Sequence, residues 1–241
     1  MTEYVFQPPE PASVAIAGSP VRFPVRRIFC VGRNYAAHTI EMGGDPEREA
    51  PFFFTKPADA VVDSGATIAY PPLTSDVHHE IELVVAIGKA GFDIAEDKTF
   101  DHVWGYGVGI DLTRRDLQGE AKKAGRPWDW GKAFDNSAPC GPLHEKVGTD
   151  HPQAGRIWLA VNGELRQDAD LSDLVWNVAE IVSICSRSIA LRPGDLIYTG
   201  TPAGVGPVAR GDTITGGIEG LGEIELRLSR ESLLIDASVA G

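Results

Sequence analysis

Residues 78–88, HHEIELVVAIG, restrict the fold more tightly than any other stretch of the chain. Along an extended backbone successive side chains point to opposite faces. Ile81, Leu83, Val85 and Ile87 therefore share one face, and Glu80 and Glu82 share the other. The apolar face needs a core, and the rest of the chain offers mostly strands to build it. RIFCV (27–31), PFFFTKP (51–57), ATIAYPP (66–72), FDHVWGYGVGIDLT (100–113) and LIYTG (196–200) are short apolar runs bounded by Gly and Pro. IWLAVNGELRQD carries Asn162-Gly163 between two such runs, a strong hairpin signal. Helices are few: a short one over Asn34–Met42 with Asn34 as N-cap, one over RRDLQGEAKKAG, and a long one over LSDLVWNVAEIVSICSRSIAL. With no βαβ rhythm and no repeat, the pattern predicts one α+β domain over residues 27–241, rich in antiparallel strands. Residues 1–26, proline-bearing and without periodicity, read as an extended N-terminal arm.

A net charge of −12 argues against nucleic acid, since phosphate binding needs a basic face. An anionic small molecule would instead need a locally basic pocket or a bound cation. The three cysteines, Cys30, Cys140 and Cys185, are odd in number and widely spaced, which predicts reduced, buried thiols. The N-terminal sequence does not have the pattern of a signal peptide, and no apolar run is long enough to cross a bilayer; a cytoplasmic protein that binds no membrane is expected.

Glu80 and Glu82, two residues apart on a strand, bring two carboxylates together. Like charges so held must be solvated, share a proton or bind a cation. For an isolated pair the solvated strand face is the commoner outcome. The apolar run around the pair and Asp111 at the end of another strand favour the alternative, an all-oxygen site for a hard divalent cation. His38 and Glu41, spaced i, i+3, would share a helix face, as a surface pair or as a carboxylate-held base. His78 and His79 rank below the carboxylates as ligands, because hard cations prefer oxygen. Arg115 and Gln118 are again i, i+3, while Lys122 and Lys123 read as a solvated face. Lys132, among Trp and Gly, is a candidate for partial desolvation, and GTPAGVG (200–206) could turn backbone N–H groups and Thr201 towards an anion. No Walker motif, dinucleotide fingerprint, GxSxG or HExxH is present.

Six segments in order, VGRNYAAHTIEMG, FFFTKP, HHEIELVVAIG, GYGVGIDLTRRDLQ, GKAFDNSAPCGP and LRPGDLIYTGTPAGVG, resemble the fumarylacetoacetate hydrolase family over about residues 27–228. Within it the likeness is strongest to the bacterial fumarylpyruvate-hydrolysing branch that acts in gentisate breakdown. The resemblance implies a mixed β-roll or β-sandwich with few helices, usually a homodimer. It implies a divalent cation, Mg²⁺ or Mn²⁺ with Ca²⁺ as a third candidate, on Glu80, Glu82 and Asp111. It also implies His38, Glu41 and Lys132 as catalytic residues, with Arg33, Tyr35, Arg115, Gln118 and Thr201 on a small anionic keto-acid substrate. The expected reaction is hydrolysis of a carbon–carbon bond in an acylpyruvate, such as fumarylpyruvate to fumarate and pyruvate. The alternatives are an oxaloacetate-type decarboxylase or hydrolysis of another acylpyruvate or of fumarylacetoacetate on the same scaffold.

Overall fold

The computed structural model describes residues 3–41, 50–146 and 151–231; of residues 38–40 it describes the backbone alone. A mixed sheet of eight strands forms the centre. Seven run in the order Phe52–Lys56, Arg27–Gly32, Asp195–Tyr198, Ile81–Ile87, Val103–Ile110, Ala138–Cys140, Val61–Asp63, and His144–Glu145 also pairs with Val103–Ile110. A second sheet of five runs Glu164–Asp170, Arg156–Val161, Thr213–Ile218, Gly222–Leu228, Ala66–Ile68. Four α-helices accompany the strands among the described residues: α1 (Ala36–Glu41), α2 (Arg115–Lys123), α3 (Asp129–Lys132) and α4 (Val178–Ser188). The expected architecture, largely sheet with few helices, is what the chain adopts.

Ile81, Leu83, Val85 and Ile87 point into one core together with Ile157, Leu159, Ile214 and Leu226 of the second sheet and Ile181 and Val182 of α4. Val84 and Ala86, on the opposite face, join a smaller core with Ile28, Cys30, Leu196 and Tyr198. The strand is thus buried on both faces, and Glu82 is its one charged residue. Asn162 and Gly163 both take positive φ, 53° and 81°, the geometry whose twist matches a two-residue hairpin.

Four local expectations are corrected. Residues 78–88 do not make one strand: Val77–His79 pairs with Thr113–Arg114 and Gly206–Val208 in a separate three-stranded sheet, and the chain enters the central sheet at Ile81. The break falls at Glu80, which sits between the two ladders. The long helix over 171–191 is split into a 3-10 turn at Leu171–Asp173 and α4. Asn177 stops it, because its side chain accepts from Glu180 N–H while Glu180 reaches back to the Asn177 N–H. Asn34 caps no helix: its amide donates to the Trp176 and Thr199 carbonyls and accepts from Trp176 N–H, tying three loops together. Finally, Ser13–Ile16 and Ser19–Pro24, inside the stretch read as an extended arm, pair as a hairpin. Buried Val14 and Phe23 seat it on the smaller core, a long-range contact without any local periodicity.

Candidate metal centre and substrate cavity

The ladder between Ile81–Ile87 and Val103–Ile110 places Ile81 against Ile110 and Glu82 against Gly109. One step further, Asp111 N–H donates to the Glu80 carbonyl at 2.9 Å. Register alone therefore brings Asp111 across from Glu80, and one ligand oxygen from each of Glu80, Glu82 and Asp111 lies within 4.8 Å of the others. All three carboxylates are buried, with exposures of 5%, 1% and 0%.

Burying three acids so close is costly unless positive charge meets them. Lys132 Nζ stands 2.9 Å from Glu80 Oε2 and 2.6 Å from both Asp111 Oδ2 and Thr113 Oγ1. Burial alone would lower the Lys132 pKa; the Asp111 and Glu80 carboxylates outweigh it, so the value is raised and the ammonium stays charged. The Arg115 guanidinium pairs with Glu80 Oε1. Lys56 Nζ lies 2.8 Å from Asp111 Oδ1 and donates to the Leu112 carbonyl at 3.0 Å.

Two features show room for a further cation. Asp111 Oδ1 receives no hydrogen bond, its approach to Lys56 being a charge contact off the bonding direction. Glu82 touches no cationic side chain among the described residues; its partner is the Gly200 N–H at 2.7 Å. Burial, then Asp111 and Glu80, push the Glu82 pKa well above the ordinary carboxylate range. A group so placed must hold a proton or face a metal ion, and the oxygen-only donor set fits a hard divalent cation.

Beside the triad opens a cavity of about 60 Å³, bounded by Arg33, Phe52, Arg115, Gln118, Lys132 and Thr201. Arg115 and Gln118 face it from one side of α2, as their spacing predicts, and Arg115 donates to Gln118 Oε1 at 2.7 Å. With its oxygen engaged, the Gln118 amide has N–H groups left for the cavity. Lys132 arrives from α3, which packs tightly on α2 because Gly131 carries no side chain: a Cβ there would lie 2.8–2.9 Å from Gln118. Lys122, read as part of a solvated face, also lines the cavity, one turn beyond Gln118 and exposed at its outer edge. Trp128 packs edge-on against Phe52 with centroids 5.2 Å apart, giving the cavity an aromatic wall.

The 200–206 loop does turn N–H groups towards anions, but the anions are the protein's own. Gly200 binds Glu82, and Gly204 N–H lies 3.1 and 3.2 Å from the two oxygens of Glu41 at the end of α1. The side chain of His38, in the same helix, lies outside the described residues. Tyr35 is buried, and burial followed by the charge of Glu82 raises its pKa. His78 bonds Asp76 at 3.0 Å and accepts from Arg115, and His79 faces Gln167 at 3.1 Å, so neither joins the carboxylates. Three residues of this neighbourhood escaped the sequence reading. Lys56 ends an aromatic strand run, Thr113 follows Asp111 by two, and Gln167 lies in a strand that is otherwise largely exposed. For Lys56 alone a signal exists, a lysine closing an apolar run just before Pro57.

A family model described as fumarylacetoacetate (FAA) hydrolase C-terminal matches residues 27–229. The chain belongs to the fumarylacetoacetate hydrolase family. Among the family's members it is 49% identical over 182 residues to a fumarylpyruvate hydrolase of a Ralstonia species, covering 76% of this chain and 94% of the relative. It is 42% identical to the mitochondrial oxaloacetate tautomerase FAHD1 of Mus musculus, over 85% of this chain and 92% of that one. The crystal structure of fumarylpyruvate hydrolase from Pseudomonas aeruginosa, in complex with Mn²⁺ and pyruvate, superposes with a TM-score of 0.92 at 56% identity, covering 95% of this chain and all of the other. The family resemblance carried by the six ordered motifs is therefore correct, as is the fold it implied. No helix among the described residues is long and apolar enough to cross a membrane.

Proposed function

We propose that this chain is a divalent-metal-dependent hydrolase that cleaves the carbon–carbon bond of an acylpyruvate, converting fumarylpyruvate and water to fumarate and pyruvate. The observation that carries the proposal is the buried oxygen triad, flanked by Lys132 and Arg115 at the wall of a cavity, in a chain 56% identical to a fumarylpyruvate hydrolase in complex with Mn²⁺ and pyruvate. Glu80, Glu82 and Asp111 would hold Mn²⁺ or Mg²⁺, with Ca²⁺ a weaker candidate. Bound there, the ion supplies a Lewis acid for the keto-acid end of the substrate.

The residues divide the remaining work. Arg115 offers a planar fork suited to a carboxylate, with Arg33, Tyr35 and Thr201 completing the substrate environment. His38, oriented by Glu41 on α1, takes a proton from water, and the hydroxyl adds to the carbonyl of the acyl group. Lys132, held cationic, and the free amide N–H of Gln118 meet the oxyanion that develops. The carbon–carbon bond then breaks: the acyl group leaves as fumarate, and the other fragment departs as the enolate and is protonated to pyruvate. Residues 27–241 form the catalytic unit, acting as a cytoplasmic homodimer. Three buried, unpaired cysteines fit a reducing compartment.

The test is product analysis of purified protein with Mn²⁺ or Mg²⁺ on fumarylpyruvate, maleylpyruvate, acetylpyruvate and oxaloacetate. Stoichiometric fumarate and pyruvate are expected. Turnover of oxaloacetate alone, with carbon dioxide released or only the keto–enol balance changed, would replace hydrolysis with decarboxylation or tautomerisation.

A further inference from the structure

Gln167 is the one fully buried side chain of the strand Glu164–Asp170, and its amide uses both ends. Its Oε1 accepts from Ile81 N–H at 3.0 Å and faces His79 Nδ1 at 3.1 Å. Its Nε2 donates to Thr201 Oγ1 and to the Pro202 carbonyl, each at 2.8 Å. A backbone N–H can only donate and a carbonyl can only accept, so Ile81 and Pro202 fix which end of the amide is oxygen. Two consequences follow. His79 must carry its proton on Nδ1, leaving the buried Nε2 as a bare acceptor. Thr201 Oγ1 must accept from Gln167, so its own proton has to point elsewhere. Among the described residues that proton has no acceptor, and Thr201 lines the cavity beside Glu80, Glu82 and Arg115.

We propose that Gln167 is a positioning residue that fixes the Thr201 hydroxyl as a hydrogen-bond donor to the anionic keto-acid ligand. Without it the hydroxyl could turn its lone pairs towards the ligand, where an anion would be repelled. The same amide secures Ile81 and His79, the two neighbours of Glu80, so donor and metal-binding carboxylate keep a common frame. This inference rests on the keto-acid reading above, but on binding rather than turnover.

The experiment is calorimetric titration of pyruvate into the Mn²⁺-loaded protein, for the parent, Thr201→Val, Gln167→Met and the double variant. A hydrogen bond to a charged group is worth enough to weaken pyruvate about tenfold when it is lost. Thr201→Val and Gln167→Met should each show that loss, and the double variant should bind no worse than Thr201→Val alone. Mn²⁺ affinity should be unchanged in Thr201→Val. Parental pyruvate affinity in Thr201→Val, which matches threonine in shape but has no hydroxyl, would overturn the proposal. So would a Gln167→Met loss of equal size with and without the hydroxyl, since a purely structural tie gives additive effects. Pyruvate binding by a parent that does not hydrolyse fumarylpyruvate would strike the functional reading and leave this test intact.

Discussion

The buried charge cluster and helix α1 are built on different principles. In the cluster the carboxylates of Glu80, Glu82 and Asp111, with Lys132 and Lys56, are fixed by a strand ladder and by one another; all five are buried. By contrast α1 has six residues, and Ala36, Ala37 and Glu41 in it are exposed. A helix that short has little stability of its own. Its Glu41 is tied to the 200–206 loop through Gly204. The charged floor is thus preorganised by the fold, as electrostatic stabilisation requires, whereas the residues proposed to activate water sit on an element that the 200–206 loop helps to place.

The comparison predicts separable losses. The largest belongs to the floor: Glu82→Ala should abolish both Mn²⁺ binding and hydrolysis, because two carboxylates leave a cation too exposed. Calorimetry showing parental Mn²⁺ affinity would remove Glu82 from the ligand set. Next comes α1: His38→Ala should leave Mn²⁺ affinity intact while slowing hydrolysis by roughly 10²–10⁴-fold, the usual contribution of a positioned base. A parental rate for that variant would transfer proton abstraction to another group. Glu41→Gln should cost less, since it can still accept from Gly204.

Lys56→Met probes the floor from below. Removing Lys56 leaves Asp111 with Lys132 as its remaining cationic partner and the buried acids with less positive charge to meet them, so the chelator-treated variant should melt below the parent. Mn²⁺ should recover part of the difference by taking up the Asp111 charge, and a melting temperature equal to the parent's would mean that Asp111 does not depend on Lys56. Arg115→Lys should raise KM for keto acids about tenfold, because a lysine cannot reproduce the bidentate fork; unchanged KM across substrates would place Arg115 outside the binding step.

The smallest effect is a pH slope. The Glu82 pKa is raised in the folded chain by burial and by its acidic neighbours. A carboxyl with a raised folded pKa contributes stability that is fully present below its ordinary value and is lost as pH climbs through the raised one. Metal-free protein should therefore lose thermal stability as pH is brought up from the acid side, and Mn²⁺ should flatten that slope. Parallel melting curves against pH with and without Mn²⁺ would separate Glu82 from the cation.

How much of this was legible in residue order depends on the range of the interaction. The facing of Arg115 and Gln118, the Asn162-Gly163 turn and the alternation of Ile81, Leu83, Val85 and Ile87 follow from local geometry, and residues a few positions apart decide them. The carboxylate set was legible as an inventory and, through the ordered motifs, as a family pattern. What pairs with each charge was not. Lys56 reaches Leu112 across 56 residues of sequence and Gln167 reaches His79 across 88, and no periodicity encodes either contact. The break at Glu80 and the stop at Asn177 belong to the same class, since both override an apolar rhythm that runs straight through them. Sequence alone determined which chemical groups the chain owns and which neighbours share a face. Tertiary structure decided which buried charge meets which, because the cost of an unpaired charge is settled only where distant segments exclude water together.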